Sequence, residues 1–441
     1  MAINFSFLRI DDKDHEEKTE ETFSVVESFE DRTDCLKKII SEFEEHLAKS
    51  VDHSLGYPLN LNCNPYIALS PLFCFHINNC GDAFNESNFS SNSKRFELGV
   101  LNWFARLWEI RKNEYWGYIT NGGTEGNLHG ILLGRELLPD GILYVSKETH
   151  YSIFKIARMY RMDCKVIDAS IKGEIDCNDL KEKLKQNKDK PAIINVNIGT
   201  TFKGGVDNLD LVIETLYECG FSENRFYIHC DAALYGLMLP LLEQEPSLSF
   251  KKPIGSIAVS AHKLLGSPMP CGVLMTRKKY ISLLATRIDY IACLDTTISG
   301  SRNGHAAVFM WYGLNIKGLM GLKREINACL KNARYLRDGL RNAGISTMLN
   351  DNSNIVVFER PLEKYFKNNW ELSCVGNMAH VVVMQHVTTQ VLDEFLEDLV
   401  RHRSSWYGSF DDVRPPCIAE EIGTSNCACF EHGKGFETSM F

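Results

Sequence analysis

From Tyr118 onward, short apolar runs alternate with helix-like stretches, and this rhythm restricts the fold more than any other feature of the chain. Gly141 to Val145, Pro191 to Asn197, Phe226 to His229, Ile254 to Val259 and Gly272 to Thr276 have the length and apolar continuity of strands buried on both faces. Asn127 to Leu138, Tyr151 to Tyr160, Asp179 to Gln186 and Leu209 to Cys219 separate them with helical spacing. Strands joined through helices cannot pair as hairpins, so the expected fold is α/β, a mainly parallel sheet covered by helices. In such folds ligands bind beyond the carboxyl ends of the strands, so the residues just after each strand carry the most information.

The chain has 441 residues, enough for two or three domains. Residues 1–30 are polar, acidic and expected to be flexible. Asp34 to Lys49 places Leu36, Ile39, Ile40, Phe43 and Leu47 at helical spacing, within a helical segment spanning 31–75. A large domain is expected over 76–305 and a small α/β domain over 306–410. In the latter, helices run from Gly304 to Leu322 and Lys323 to Asn342, strands from Ile355 to Glu359 and His380 to Met384, and a last helix from Leu392 to Arg401. Residues 411–441 form a tail.

A net charge of −9 with no basic stripe argues against nucleic acid as a partner. No apolar run is long enough to span a membrane, and Met1 to Glu20 lacks the apolar core of a secretory signal. Fifteen cysteines without framework spacing read as reduced thiols of a cytoplasmic protein. Cys427-Ala428-Cys429, with His432 nearby, lacks a second CxxC or paired histidines, so no metal site is expected.

Five strand ends hold residues suited to one cofactor. Ser260-Ala261-His262-Lys263 follows the strand Ile254 to Val259. A lysine there is either an ordinary loop lysine or, in a pocket, a nucleophile for an aldehyde cofactor. Pyridoxal phosphate needs three further groups: an anion at its ring nitrogen, donors for its phosphate and a surface on its ring. Asp231 follows the strand Phe226 to Cys230 and suits the first, although it could equally cap the following helix. Asn121-Gly122-Gly123-Thr124-Glu125-Gly126-Asn127 opens a helix after a strand ending near Thr120, which makes either an anion cradle or a plain turn. His150 follows Gly141 to Val145, where it could stack on the ring and touch a substrate carboxylate, or simply be structural. Thr200-Thr201, after Asn195 to Gly199, could meet a phenolate oxygen.

These motifs resemble those of the group II pyridoxal-dependent amino-acid decarboxylases, and within them the plant branch named histidine decarboxylase or serine decarboxylase. Tyr115-Trp116-Gly117-Tyr118, the stretch from Leu128 to Leu138 and Gly300-Ser301-Arg302-Asn303-Gly304 look like that branch in detail. The resemblance covers roughly residues 35 to 430. It implies an aspartate-aminotransferase-type fold, a homodimer with shared active sites and an N-terminal segment packed across the dimer. It implies pyridoxal phosphate bound through Lys263, with Asp231 at the ring nitrogen and His150 stacked on the ring. It places Gly123, Thr124, Ser260 and His262 on the phosphate side and Thr201 near the phenolate oxygen. Ser301 matches a phosphate contact from the neighbouring subunit.

The implied reaction is α-decarboxylation of a small polar L-amino acid. The first expectation is histidine to histamine; serine to ethanolamine, oxidative conversion to an aldehyde, and an inactive cofactor-binding copy are the alternatives. Tyr290 is the candidate acid for the α-carbon, against the plainer reading of a half-buried tyrosine. Asn79, near Gly81, is expected on the pocket side that faces the substrate. The chain departs from the family pattern at Ala261, where glycine is usual, at Ala307, and over Cys293-Leu294-Asp295-Thr296-Thr297-Ile298.

Overall fold

The computed structural model describes residues 32–51, 53–86, 88–242, 247–407 and 414–432; the expectation for residues 1–30 lies outside them. The chain divides into Met1–Ser50 and Val51–Phe441. In the first unit the helix Arg32–Val51 leaves Leu36, Ile40, Phe43 and Leu47 exposed along one stripe.

The second unit is organised by two sheets. Seven strands form the larger: β1 (Tyr115–Thr120), β2 (Ile142–Ser146), β3 (Cys164–Ile167), β4 (Ala192–Asn197), β5 (Phe226–Asp231), β6 (Ser256–Ser260) and β7 (Gly272–Arg277). Their spatial order is β1-β7-β6-β5-β4-β2-β3. The pairs β2–β3, β2–β4, β4–β5 and β5–β6 are parallel, and β7 runs antiparallel to both β6 and β1. Six strands therefore point the same way, so the residues following β1, β2, β4, β5 and β6 emerge along one edge. β1, β2, β4 and β5 are buried throughout, which explains their near-continuous apolar sequences.

The helix Gly123–Leu137 lies against this sheet with small residues at the contact. Gly126, Gly130 and Gly134 recur every four residues on one face, and a Cβ at Gly130 would fall 2.3 Å from His229 Nδ1. Without side chains there, the helix can approach the strands directly.

The segment after β7 forms a short hairpin of β8 (Thr286–Ile288) and β9 (Cys293–Asp295). The helix Gly304–Asn342 then carries the chain to a four-stranded antiparallel sheet. That sheet contains β10 (Thr347–Leu349), β11 (Ile355–Glu359), β12 (Ser373–Val375) and β13 (Met378–Val382), and the helix Thr389–Trp406 follows it. The sequence places a helix boundary between Leu322 and Lys323, whereas the irregularity falls at Gly318. Gly318 has a φ of 57°, a conformation glycine adopts without the penalty of a Cβ. The tail, although low in apolar content, buries Ile418, Ile422 and Cys427 completely.

Beside the larger sheet, the buried pair of Arg302 and Glu97 ties together four chain segments. Glu97 also accepts hydrogen bonds from the Ile119 amide at 2.8 Å and from Asn79 Nδ2 at 2.9 Å, while Arg302 Nη2 donates to the Gly81 carbonyl at 2.9 Å. Direct hydrogen bonding on both sides offsets part of the cost of burying two charges.

Candidate active site

The carboxyl edge of the larger sheet surrounds a cavity of about 320 Å³. Gly123, Thr124, His150, Thr201, Asp231, Ser260, His262 and Lys263 all line it. Eight of the eleven residues singled out in the sequence thus converge from five strand ends.

Gly122 begins the helix Gly123–Leu137 with a φ of 135°, and the Gly123 amide donates to Ser260 Oγ at 3.0 Å. A Cβ on Gly123 would stand 2.7 Å from that oxygen, so the cradle accepts only glycine without rearrangement. Backbone N–H groups at the positive end of a helix, beside a serine and a histidine, suit a phosphate. His262 Nδ1 lies 2.9 Å from the Cys271 carbonyl.

His150 caps the helix Tyr151–Met159, its Nδ1 accepting from the Ser152 amide at 3.3 Å. That bond fixes the proton of the neutral ring on Nε2. Burial lowers the His150 pKa, Asp231 opposes the shift and Lys263 reinforces it, so the uncharged ring is favoured. Burial also draws the Lys263 ammonium below the ordinary lysine range, and Asp231 offsets part of that. A larger share of free amine at neutral pH makes Lys263 a better nucleophile.

Asp231 is buried at the end of β5, and its Oδ2 accepts from Asn127 Nδ2 at 2.8 Å. Asn127 Oδ1 in turn receives His229 Nε2 at 3.0 Å, while His229 Nδ1 meets Ser256 Oγ at 2.8 Å. The Tyr227 hydroxyl completes the series by donating to Ser256 Oγ at 2.8 Å. Burial drives the His229 pKa down to about 3, so the imidazole is neutral. Since Asn127 gives its amide N–H to the carboxylate, its oxygen must receive the His229 proton. Every donor from Tyr227 to Asn127 therefore points toward Asp231. Sequence reading placed Asn127 in the Gly-rich opening of the helix without this role, although an asparagine beside a glycine-lined contact face was a usable signal. Replacing Asn127 with alanine removes a hydrogen bond to a buried charge, an interaction of about 1.5–3 kcal/mol. The kcat/KM of the reaction run at this cavity should consequently fall by about 10–100-fold, measured by initial rates beside a circular-dichroism check of folding.

Three sequence candidates do not line this cavity. Asn79 is buried and committed elsewhere: its Oδ1 accepts from the Ser93 amide at 2.7 Å and the Ser93 hydroxyl at 3.1 Å, and its Nδ2 serves Glu97. These bonds hold Asn79 between Ser93 and Glu97, outside the Lys263 cavity of its own chain. Tyr290 sits on the turn of the β8–β9 hairpin with 83% of its surface exposed, rather than half-buried. Ser301 is exposed and its Oγ accepts from Asn78 Nδ2 at 3.1 Å. Two residues earlier, Ser299 Oγ lies 3.3 Å from Glu125 and 3.5 Å from Asn121 Nδ2, so this segment borders the cavity rim. Ala261, where glycine was usual, is buried and is absent from the residues with positive φ. The alanine therefore needs no special backbone freedom beside Lys263.

The available groups match pyridoxal phosphate by donor chemistry: an amine, a carboxylate anchored in a directed series of donors, a glycine cradle and an imidazole. Comparison with known proteins agrees. The pyridoxal-dependent decarboxylase conserved domain matches residues 20–360. Serine decarboxylase 1 of Oryza sativa subsp. japonica is 56% identical over 404 residues, covering 92% of this chain and 83% of that protein. Histidine decarboxylase of Solanum lycopersicum is 53% identical over 398 residues, covering 89% and 95%. The crystal structure of L-methionine decarboxylase from Streptomyces sp. 590 superposes with a TM-score of 0.79 at 24% identity, over 87% of this chain and 97% of that one, and shares the fold. The chain belongs to the pyridoxal-dependent decarboxylase family, whose cofactor is pyridoxal phosphate.

Proposed function

We propose that this protein converts L-histidine to histamine and carbon dioxide at the cavity built around Lys263. The convergence of Lys263 and Asp231 on one cavity from two neighbouring strand ends carries the assignment to amino-acid chemistry. Histidine rests on the named relatives from Solanum lycopersicum and Acinetobacter baumannii. The 56% identity to the serine decarboxylase of Oryza sativa subsp. japonica favours a second reading, serine to ethanolamine.

Pyridoxal phosphate, when bound, supplies an electron sink for the pair left at the α-carbon as the carboxylate departs. Lys263 holds the cofactor through its ε-amino nitrogen. Asp231, fixed by Asn127, keeps a proton at the ring nitrogen. The Thr124 amide, with the Ser260 and His262 side chains beside Gly123, would receive the phosphate, and Thr201 would meet the phenolate oxygen. His150, whose neutral ring lines the cavity, would cover the cofactor ring and offer its Nε2–H to the substrate carboxylate. Leu234 and Ile355 are buried apolar walls that keep water from the reacting carbon.

Tyr290 and Ser301 do not line the Lys263 cavity of their own chain, so their parts in this chemistry require a second copy. The exposed apolar stripe of Arg32–Val51 gives such a copy a surface to cover. The working unit is accordingly a cytoplasmic homodimer with shared sites, Ser301 approaching the partner's phosphate and Tyr290 protonating the α-carbon there. Tyr290→Phe is expected to reduce amine formation by about 10²-fold, the lower range for a lost general acid, and to increase aldehyde. Quantifying amine and aldehyde from the same reaction checks this; unchanged amine output would remove Tyr290 from the protonation step.

The experiment for the substrate assignment is mass spectrometry of the products formed by purified holoenzyme from an equimolar amino-acid mixture. Histamine is the expected product, and ethanolamine establishes the second reading. Aldehyde with peroxide would show that oxygen reaches the carbanion, and absence of any product would overturn the enzymatic assignment.

A further inference from the structure

The tail gathers four metal-binding side chains that the active site does not use. Cys417, Cys427, Cys429 and His432 bring three sulfurs and one imidazole nitrogen within 4.8 Å of one another. Cys417 Sγ lies 4.0 Å from Cys427 Sγ and 3.7 Å from His432 Nδ1, and Cys429 Sγ lies 3.1 Å from the same nitrogen. A tetrahedral zinc ion with Zn–S near 2.3 Å separates its sulfurs by about 3.8 Å. A disulfide would instead need about 2.05 Å between sulfurs. Cys427, Cys429 and His432 are close in the sequence, whereas Cys417 returns to them across the short helix Ala419–Ile422 and the turn at Gly423.

We propose that Cys417, Cys427, Cys429 and His432 bind one zinc ion in a closed, structural site. Three thiolates and one imidazole form a zinc-selective set, whereas oxygen donors suited to magnesium or calcium are absent from this cluster. All four positions are filled by protein, leaving none for water or substrate, so the ion's role is to fix the chain. Binding exchanges the thiol protons for the metal and releases them to solvent without electron transfer.

The surroundings show what is fixed. The Ala428 amide donates to Ser346 Oγ at 2.9 Å, and Arg341 Nη2 donates to Asn426 Oδ1 at 2.8 Å, which ties the tail to the entry of the four-stranded sheet. Lys203 Nζ reaches the Glu421 carbonyl at 3.0 Å and Glu148 Oε1 at 3.6 Å. Lys203 stands two residues after Thr201, and Glu148 two before His150, so the zinc-closed tail braces the loops that carry two cavity residues.

The test is the zinc content of full-length holoenzyme purified without chelators from zinc-supplemented cells, measured by inductively coupled plasma mass spectrometry. The expected result is about one zinc per chain, falling below about 0.1 in the Cys417→Ser/Cys429→Ser variant, with a lower Tm and retained cofactor absorbance. Should that variant not fold, cobalt loading of the natural protein replaces it, with the ligand-field spectrum of a tetrahedral thiolate site expected. Zinc near zero in the natural protein, zinc unchanged in the folded variant, a disulfide among these cysteines, or an octahedral cobalt spectrum would each overturn the proposal.

Discussion

Replacing Lys263 with alanine lowers amine formation by at least about 10⁴-fold, as expected for loss of a covalent nucleophile, while the protein stays folded. Lys263 follows the carboxyl end of β6 in a cavity reached by the ends of four other strands. Burial already favours its uncharged amine, so alanine removes the one group that attacks the cofactor without removing a needed structural charge. The Gly123–Ser260 cradle and the Asp231 carboxylate remain in place. The variant should therefore still bind pyridoxal phosphate, though without the covalent link. Product assays beside cofactor absorbance and circular dichroism check it; residual activity within tenfold of the natural enzyme would exclude Lys263 from catalysis.

Asp231→Asn has the second largest effect, with kcat reduced by about 10³-fold, in the range of losing one preorganised electrostatic partner. The substitution keeps the size of the side chain and its contact with Asn127, but removes the negative charge that holds a proton on the cofactor ring. A structural role alone predicts little change in kcat, since the amide oxygen can still accept from Asn127 Nδ2 in the folded fraction. A kcat assay beside thermal denaturation separates these cases: a 10³-fold loss with unchanged Tm indicates an electrostatic role, and a loss of Tm with full kcat in the folded fraction indicates a structural one.

Much of the larger sheet is legible in the sequence because strands buried on both faces are near-continuous apolar runs, with few polar residues such as Asn195 and His229 among them. β3 is not legible there: it is an edge strand, only Ile167 of its four residues is buried, and Lys165 interrupts it. The helix Tyr235–Leu242 is apolar on nearly every side and contains Pro240, so it shows no amphipathic period to read. β10 and β12, three residues each, are too short to display alternation. At the candidate site, Lys263, Asp231, His150 and the Gly122-Gly123 turn could be found because strand ends converge and each residue type has its own chemistry. Asn79 could not be placed, since its commitment to Ser93 and Glu97 depends on packing between distant segments. The same limit hid Asn127 and His229 behind Asp231, and Cys417 beside the Cys427–Cys429 pair. Position along the chain revealed which residues reach the cavity, but hydrogen bonds between segments decided which ones it holds in place.

The most direct measurement of the central claim is borohydride reduction of the holoenzyme followed by peptide mapping, which fixes the cofactor to the amine that carries it. A single pyridoxyl group on Lys263 is the predicted result. Modification of another lysine, or none in a protein that retains decarboxylase activity, would contradict the account.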